Sequence, residues 1–211
     1  ARFAQQTEFG KVNDIYRGSV LVNYRQFNFN DRPLPKTDIS NFNIRYAYRK
    51  PIKMLFYNLN FSYDRTKQNF INSYTIDNGL TKSIAVNFEN KLDQYSLNGN
   101  FSKYLFPLQL NFLIHGSLNM QRGSNFYNDE ITPFIGRQLS AGMVLRKKLF
   151  SKITLTLNGD LSRSVNKQKS INSSISNETA SEKFKGEWNQ NISSAISYSL
   201  AYYFTTYRQG L

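Results

Sequence analysis

Residues 108–121 change polarity at nearly every step. Leu108, Leu110, Phe112, Ile114, Gly116, Leu118 and Met120 occupy one set of positions; Gln109, Asn111, Leu113, His115, Ser117, Asn119 and Gln121 occupy the other. A β-strand points successive side chains to opposite faces, so this segment reads as a strand with one apolar and one mostly polar face. At about thirteen residues it is roughly twice the usual soluble strand of about five or six. A strand tilted by about 45° across a bilayer needs about nine to eleven residues. Length and alternation together predict an all-β fold, an antiparallel transmembrane β-barrel.

The same pattern recurs along nearly the whole chain. It runs through Tyr16, Gly18, Val20, Val22 and Tyr24, then through Phe42, Ile44, Tyr46 and Tyr48. Leu55, Tyr57, Leu59, Phe61 and Tyr63 are backed by Asn58, Asn60, Ser62 and Asp64. Further strands are expected through Leu139 and Leu145, Ile153 and Leu161, Phe184 and Trp188, and Ile196 and Phe204. Between 84 and 104 the phase flips. One long strand with a bulge at 90–93 accounts for the flip, and a hairpin turning there is the alternative. With the bulge, long polar loops near 28–39, 66–82, 122–137 and 166–179 alternate with short turns near 49–53, 104–107, 147–152 and 189–193. Bacterial barrels carry this asymmetry, with short turns on the periplasmic side and longer loops outside. Aromatic residues at both strand ends, Tyr46, Tyr48, Tyr57, Tyr104, Phe106 and Phe150 at one and Tyr63, Phe70, Phe126 and Tyr127 at the other, fit interfacial girdles. The expected architecture is a meander of about eight to ten long strands, where complete single-chain barrels hold even numbers. A count near nine and the polar ending Arg208-Gln209-Gly210-Leu211 suggest one incomplete segment of a larger barrel spanning residues 1–211.

Composition narrows the alternatives. No run of eighteen apolar residues exists in this chain of mean hydropathy −0.53, which excludes a helical membrane protein. There is no cysteine, hence no disulfide or thiolate metal site. The net charge is +13, yet Arg45, Arg49, Lys50, Lys53, Arg146, Lys147, Lys148 and Lys152 are dispersed over strand ends and turns. Nucleic-acid binding would gather such residues on one recognition element, whereas anionic lipid headgroups suit basic strand ends.

Alternation also assigns faces. Asn58, Asn60, Asn111, His115, Asn119, Asn158 and Asp160 are candidates to line a lumen. Leu55, Tyr57, Leu59, Phe61, Leu110, Phe112, Ile114, Leu118, Leu155 and Leu157 are candidates to face lipid. His115 is the only histidine and has no acidic or nucleophilic neighbour in sequence, so it reads as structural. Asp129-Glu130 lacks the periodic ligands of a calcium loop. Phosphate loop, dinucleotide fingerprint and nucleophile elbow are absent. The chain reads as a non-enzyme with no catalytic, cofactor or metal site.

Asp77-Asn78-Gly79-Leu80, followed by Ile84-Ala85-Val86-Asn87-Phe88-Glu89-Asn90-Lys91-Leu92, carries a family resemblance together with two turns, Lys103-Tyr104-Leu105-Phe106-Pro107 and Lys147-Lys148-Leu149-Phe150-Ser151-Lys152. In this style of segment the chain resembles the barrel of Bacteroidetes TonB-dependent receptors and their outer-membrane β-barrel relatives. The resemblance implies a plugged barrel of about 22 strands that imports a nutrient or solute across the bacterial outer membrane. It also implies contact with outer-membrane lipid and lipopolysaccharide, a periplasmic energy-coupling protein and a surface lipoprotein as partners. Two other readings stand beside it: a non-transport structural or secretion-associated barrel, and a soluble all-β module that binds acidic polymers.

Overall fold

The computed structural model describes residues 1–10, 18–23, 26–30, 34–77, 80–127, 130–149, 152–169, 174–192 and 196–210. Its strands are β1 (Arg2–Phe9), β2 (Gly18–Asn23), β3 (Gln26–Asn30), β4 (Lys36–Lys50), β5 (Leu55–Gln68), β6 (Ile71–Asp77), β7 (Leu80–Val86), β8 (Asn90–Leu105), β9 (Leu110–Tyr127), β10 (Glu130–Leu149), β11 (Ile153–Lys169), β12 (Ser174–Asn191) and β13 (Ser197–Gly210). The main sheet is an open antiparallel meander of nine strands, β1-β4-β5-β8-β9-β10-β11-β12-β13. β1 and β13 are its two edges and do not pair with one another. No helix among the described residues is long and apolar enough to cross a membrane, a criterion that does not bear on strands.

Tight turns close one end of the meander. Lys50 pairs with Leu55 around a 3-10 turn at Pro51–Lys53, and Leu105 pairs with Leu110 around a second at Phe106–Leu108. Each turn reverses through one left-handed residue, Met54 at φ 43° and Gln109 at φ 49°. A proline early in each turn presets φ, and its missing N–H is no loss outside the ladder. Leu108 and Gln109 therefore belong to a turn, and the strand that carries the alternation starts at Leu110.

The opposite end departs from the sequence expectation. The polar stretches 122–137 and 166–179 are largely paired strand rather than loop. β9 and β10 run 18 and 20 residues, and Tyr127 pairs with Glu130. Lys169 pairs with Ser174 in the same way. Ladder hydrogen bonds come from the backbone and persist where the apolar pattern stops, so loss of amphipathicity marks the end of the greasy face, not of the strand. The two remaining long connections form structure together. β3 pairs with β7 in parallel, β7 with β6, and β6 meets β9 at Ser73 and Tyr74, making a small layer at this end. Asn69 clasps its base: its side chain accepts from the Lys36 N–H at 2.9 Å and donates to the Leu34 carbonyl at 3.2 Å.

Three further expectations are corrected. The segment 84–104 is neither a bulged strand nor a hairpin turning at 90–93; it breaks at 87–89, and β8 passes straight through 90–93. The first strand of the meander is Arg2–Phe9, whose weak alternation hides it, while the stretch beginning at Gly18 forms β2 outside the meander. Tyr16 and Tyr24 lie outside the described residues. Arg208, Gln209 and Gly210 are not strandless but pair with Ala180, Thr179 and Glu178.

The described residues form no conventional core. Ile71 is the one buried apolar residue among those described. The accessible surface is 15172 Å², against about 10,000 Å² for a compact monomer of this mass. The excess reflects a sheet with both faces open.

Candidate functional site

Strand register decides the faces, because residues directly opposite one another in adjacent strands share a side of the sheet. One row runs Asn58, Asn100, His115, Gly142, Asp160, Lys183 across six strands. The row above it runs Asn60, Asn98, Ser117, Ser140, Ser162, Ser181. Asn119 lies between Ser96 and Gln138, Asn111 beside Arg146, and Asn158 beside Lys185. All seven lumen candidates thus share one face, and its rows are continuous across the sheet.

Amides and hydroxyls on this face bond mainly to one another. Asn43 donates to Asn60 Oδ1 at 3.1 Å and Asn58 to Asn100 Oδ1 at 3.0 Å. Ser117 and Ser140 lie 2.7 Å apart, Ser162 and Ser181 2.8 Å, and Asn41 donates to Asp64. Two shallow hollows lie among these groups. One of about 530 Å³ brings Asn58, Asn60 and His115 together with Arg45, Asn98, Asn100 and Ser140. The other, of about 410 Å³, holds Asn119 with Asp64, Gln94, Gln121, Gln138 and Asn166. Among the described residues the Oδ1 atoms of Asn58 and Asn158 are buried without a hydrogen-bond partner, a costly state that a solute or water donor would relieve.

His115 has a partner that sequence spacing did not reveal. Its Nε2 lies 2.9 Å from Asp160 Oδ1, 45 residues away. The two side chains meet over Gly142, their common register neighbour, where a Cβ would collide with both. Gly136 repeats the device, since a Cβ there would come within 2.8 Å of Asn166 Oδ1 and 3.0 Å of Gln121. Arg45, Asn98 and Asn100 were also missed. The signal for them was available within their own strands, because Arg45 alternates with Ile44 and Tyr46, and Asn98 and Asn100 with Leu97, Gly99 and Phe101. The result is a surface of hydrogen-bonding groups: the register neighbours of His115 are an amide and a glycine, and its ring partner is Asp160.

The ten lipid candidates share the opposite face. Leu59 and Phe61 pair with Gly99 and Leu97; Phe112, Ile114 and Leu118 pair with Leu145, Met143 and Leu139; Leu155 and Leu157 pair with Trp188 and Gly186. Leu55 and Tyr57 pair with Lys103 and Phe101, and Leu110 with Leu105. Among the described residues no element packs over them, and Ile114 is 43% exposed, Leu118 44% and Leu157 46%. Charges and aromatics bound the belt. Lys50, Lys103 and Lys147 stand at the tight-turn edge, near stacked Tyr48 and Tyr57 with centroids 4.9 Å apart. At the other edge Tyr63 stacks on Tyr95 at 4.7 Å, and Asp93 accepts from both Tyr63 Oη and Arg65 Nε at 2.7 Å. Phe150 and the side chain of Tyr127 lie outside the described residues.

The chain matches no protein-family model, and no curated protein is significantly similar to it.

Proposed function

We propose that this chain is part of the wall of a bacterial outer-membrane β-barrel. Its apolar face meets lipid hydrocarbon and its amide-rich face lines a water-filled lumen through which a solute passes. One observation carries the reading: an uncovered apolar belt of the right height, bounded on both edges by aromatic and charged residues. From Leu110 to Met120 the belt spans about 33 Å along β9, or about 23 Å at a 45° tilt, against an apolar band of about 25 Å in known barrels. Tight turns at one end and long hairpins at the other support the same orientation, with the tight turns periplasmic.

In hydrocarbon the free edges of β1 and β13 would leave ladder groups unpaired at several kcal/mol each. The proposal therefore includes further strands that close a larger barrel. The finer reading, a TonB-dependent receptor importing a nutrient with a periplasmic energy-coupling protein and a surface lipoprotein as partners, rests on the resemblance of sequence style. An acidic-polymer module is less well supported, because it leaves the apolar face exposed to water. The test is co-flotation of the full-length protein, including the strands that close the barrel, with lipid vesicles, followed by protease digestion. The protein should float, with its β-strands protected and cleavage confined to hairpin ends. A protein monodisperse in plain buffer that stays at the bottom of the gradient sinks the proposal.

A further inference from the structure

A hollow of about 520 Å³ opens on the apolar face at the long-hairpin edge, between β9, β10, β11 and β12. This volume lies within the range of small-molecule sites, about 300–1,000 Å³. Its cations are Arg137, Arg163 and Lys167, and Leu118, Leu139 and Val165 are among its apolar walls. Arg137 sits opposite Val165, so Arg163 and Lys167 are both its diagonal neighbours, with Cα atoms about 7–8 Å away. The single acid here, Glu178, is taken by Arg163 Nε at 2.7 Å. Among the described residues no acid lies within ion-pair distance of Arg137 or Lys167. Elsewhere on this edge Arg65 is bridged to Asp93, which also stands in register with Arg122. Unneutralised cations directly above leucines on a face without cover define a site for an amphiphile.

We propose that this hollow binds a lipid with a phosphate-bearing headgroup from the surrounding leaflet. The phosphate sits between Arg137, Arg163 and Lys167, and an acyl chain lies over Leu118 and Leu139. Arginine offers forked donors to phosphate oxygens and lysine a point charge, so this set suits phosphate better than a zwitterionic headgroup. The site rests on the reading that the apolar face meets lipid.

The test is a titration of the detergent-solubilised full-length protein with diphosphorylated lipid A, read by native mass spectrometry, with phosphatidylcholine as the comparison lipid. Removing two cations at about 1 kcal/mol each predicts that Arg137→Gln/Lys167→Gln binds lipid A about thirtyfold more weakly. Arg2→Gln/Lys185→Gln, on the polar face, should bind like the parent, and phosphatidylcholine should not separate the proteins. A circular-dichroism spectrum unchanged from the parent confirms that each variant is folded. Equal retention of lipid A by parent and Arg137→Gln/Lys167→Gln overturns the site, as does equal binding of both lipids. A lipid-free dimer that the double variant dissolves also overturns it, in favour of a second copy as occupant. Failure of the parent to float with vesicles removes the membrane reading and this site together; flotation without lipid selectivity removes only the site.

Discussion

Ile114→Arg separates hydrocarbon from water as the medium on the apolar face. Ile114 lies four residues from the start of β9, about 13 Å along the strand and about 9 Å along the membrane normal at a 45° tilt. The midplane of an apolar band about 25 Å tall lies near 12 Å, so Ile114 and Gly116 straddle it. An arginine at that depth costs about 2–4 kcal/mol, whereas near an interface the cost falls to about 0–1 kcal/mol. At a 43%-exposed position in water the same change costs within about 0.5 kcal/mol. The expected series is therefore a loss of about 2–4 kcal/mol for Ile114→Arg, about 0–1 kcal/mol for Leu110→Arg near the lower edge, and a similarly small loss for Ser117→Arg on the polar face. Guanidinium unfolding of the vesicle-inserted protein measures it. Trp188 is the chain's only tryptophan, lies beside Leu155 and Leu200 on the apolar face, and reports through its emission. A value for Ile114→Arg within about 0.5 kcal/mol of the parent, or an equal loss for Ser117→Arg, would refute the assignment of faces.

Other consequences are open to measurement. Gly142→Ala must separate His115 from Asp160. That half-exposed pair contributes at most about 1 kcal/mol, and alanine recovers about 0.5–1 kcal/mol of strand propensity, so stability should hardly change. The coupling between His115→Ala and Asp160→Asn in a double-mutant cycle should vanish in the Gly142→Ala background; persistence of that coupling contradicts the geometry. Gln109→Asn and Met54→Asn should each raise the unfolding free energy, by about 0.5–1 kcal/mol, because asparagine tolerates the left-handed backbone better. Absence of any gain at both sites argues against that turn geometry. Asp38, above the belt, is held below the ordinary 3.8 of a free aspartate by the Thr7 hydroxyl and then by Lys36. A depressed folded value means its contribution is complete above 3.8 and is lost as pH falls through the folded value. Hydrogen-exchange protection of β1 amides should therefore drop on acidification below that point, and Asp38→Asn should abolish the drop.

Much of the candidate site was legible because face is a local property. Ile114 and His115 differ by one step, and a strand sends them to opposite sides whatever they pair with. That is why the seven polar candidates fall together on one face of the sheet and the ten apolar ones on the other. What escaped was non-local. His115 and Asp160 meet only because β9, β10 and β11 align them on Gly142, and no spacing within one strand encodes that alignment. Strand ends escaped for a different reason. Polar stretches such as 122–127 pair through backbone groups common to every residue, so composition does not mark them. β1 was hidden because Phe3 and Phe9 alone carry its pattern, and its partner β4 is what holds it in place.

The amino-acid order by itself determined that this chain would be extended, two-faced and closed by tight turns at one end, since alternation and turn chemistry act within a few residues. Tertiary structure alone decided which strands neighbour one another, how far the hairpins run, and where cations and amides from different strands converge. Those outcomes depend on register, which is set by the summed pairing of whole strands and by no short stretch of sequence.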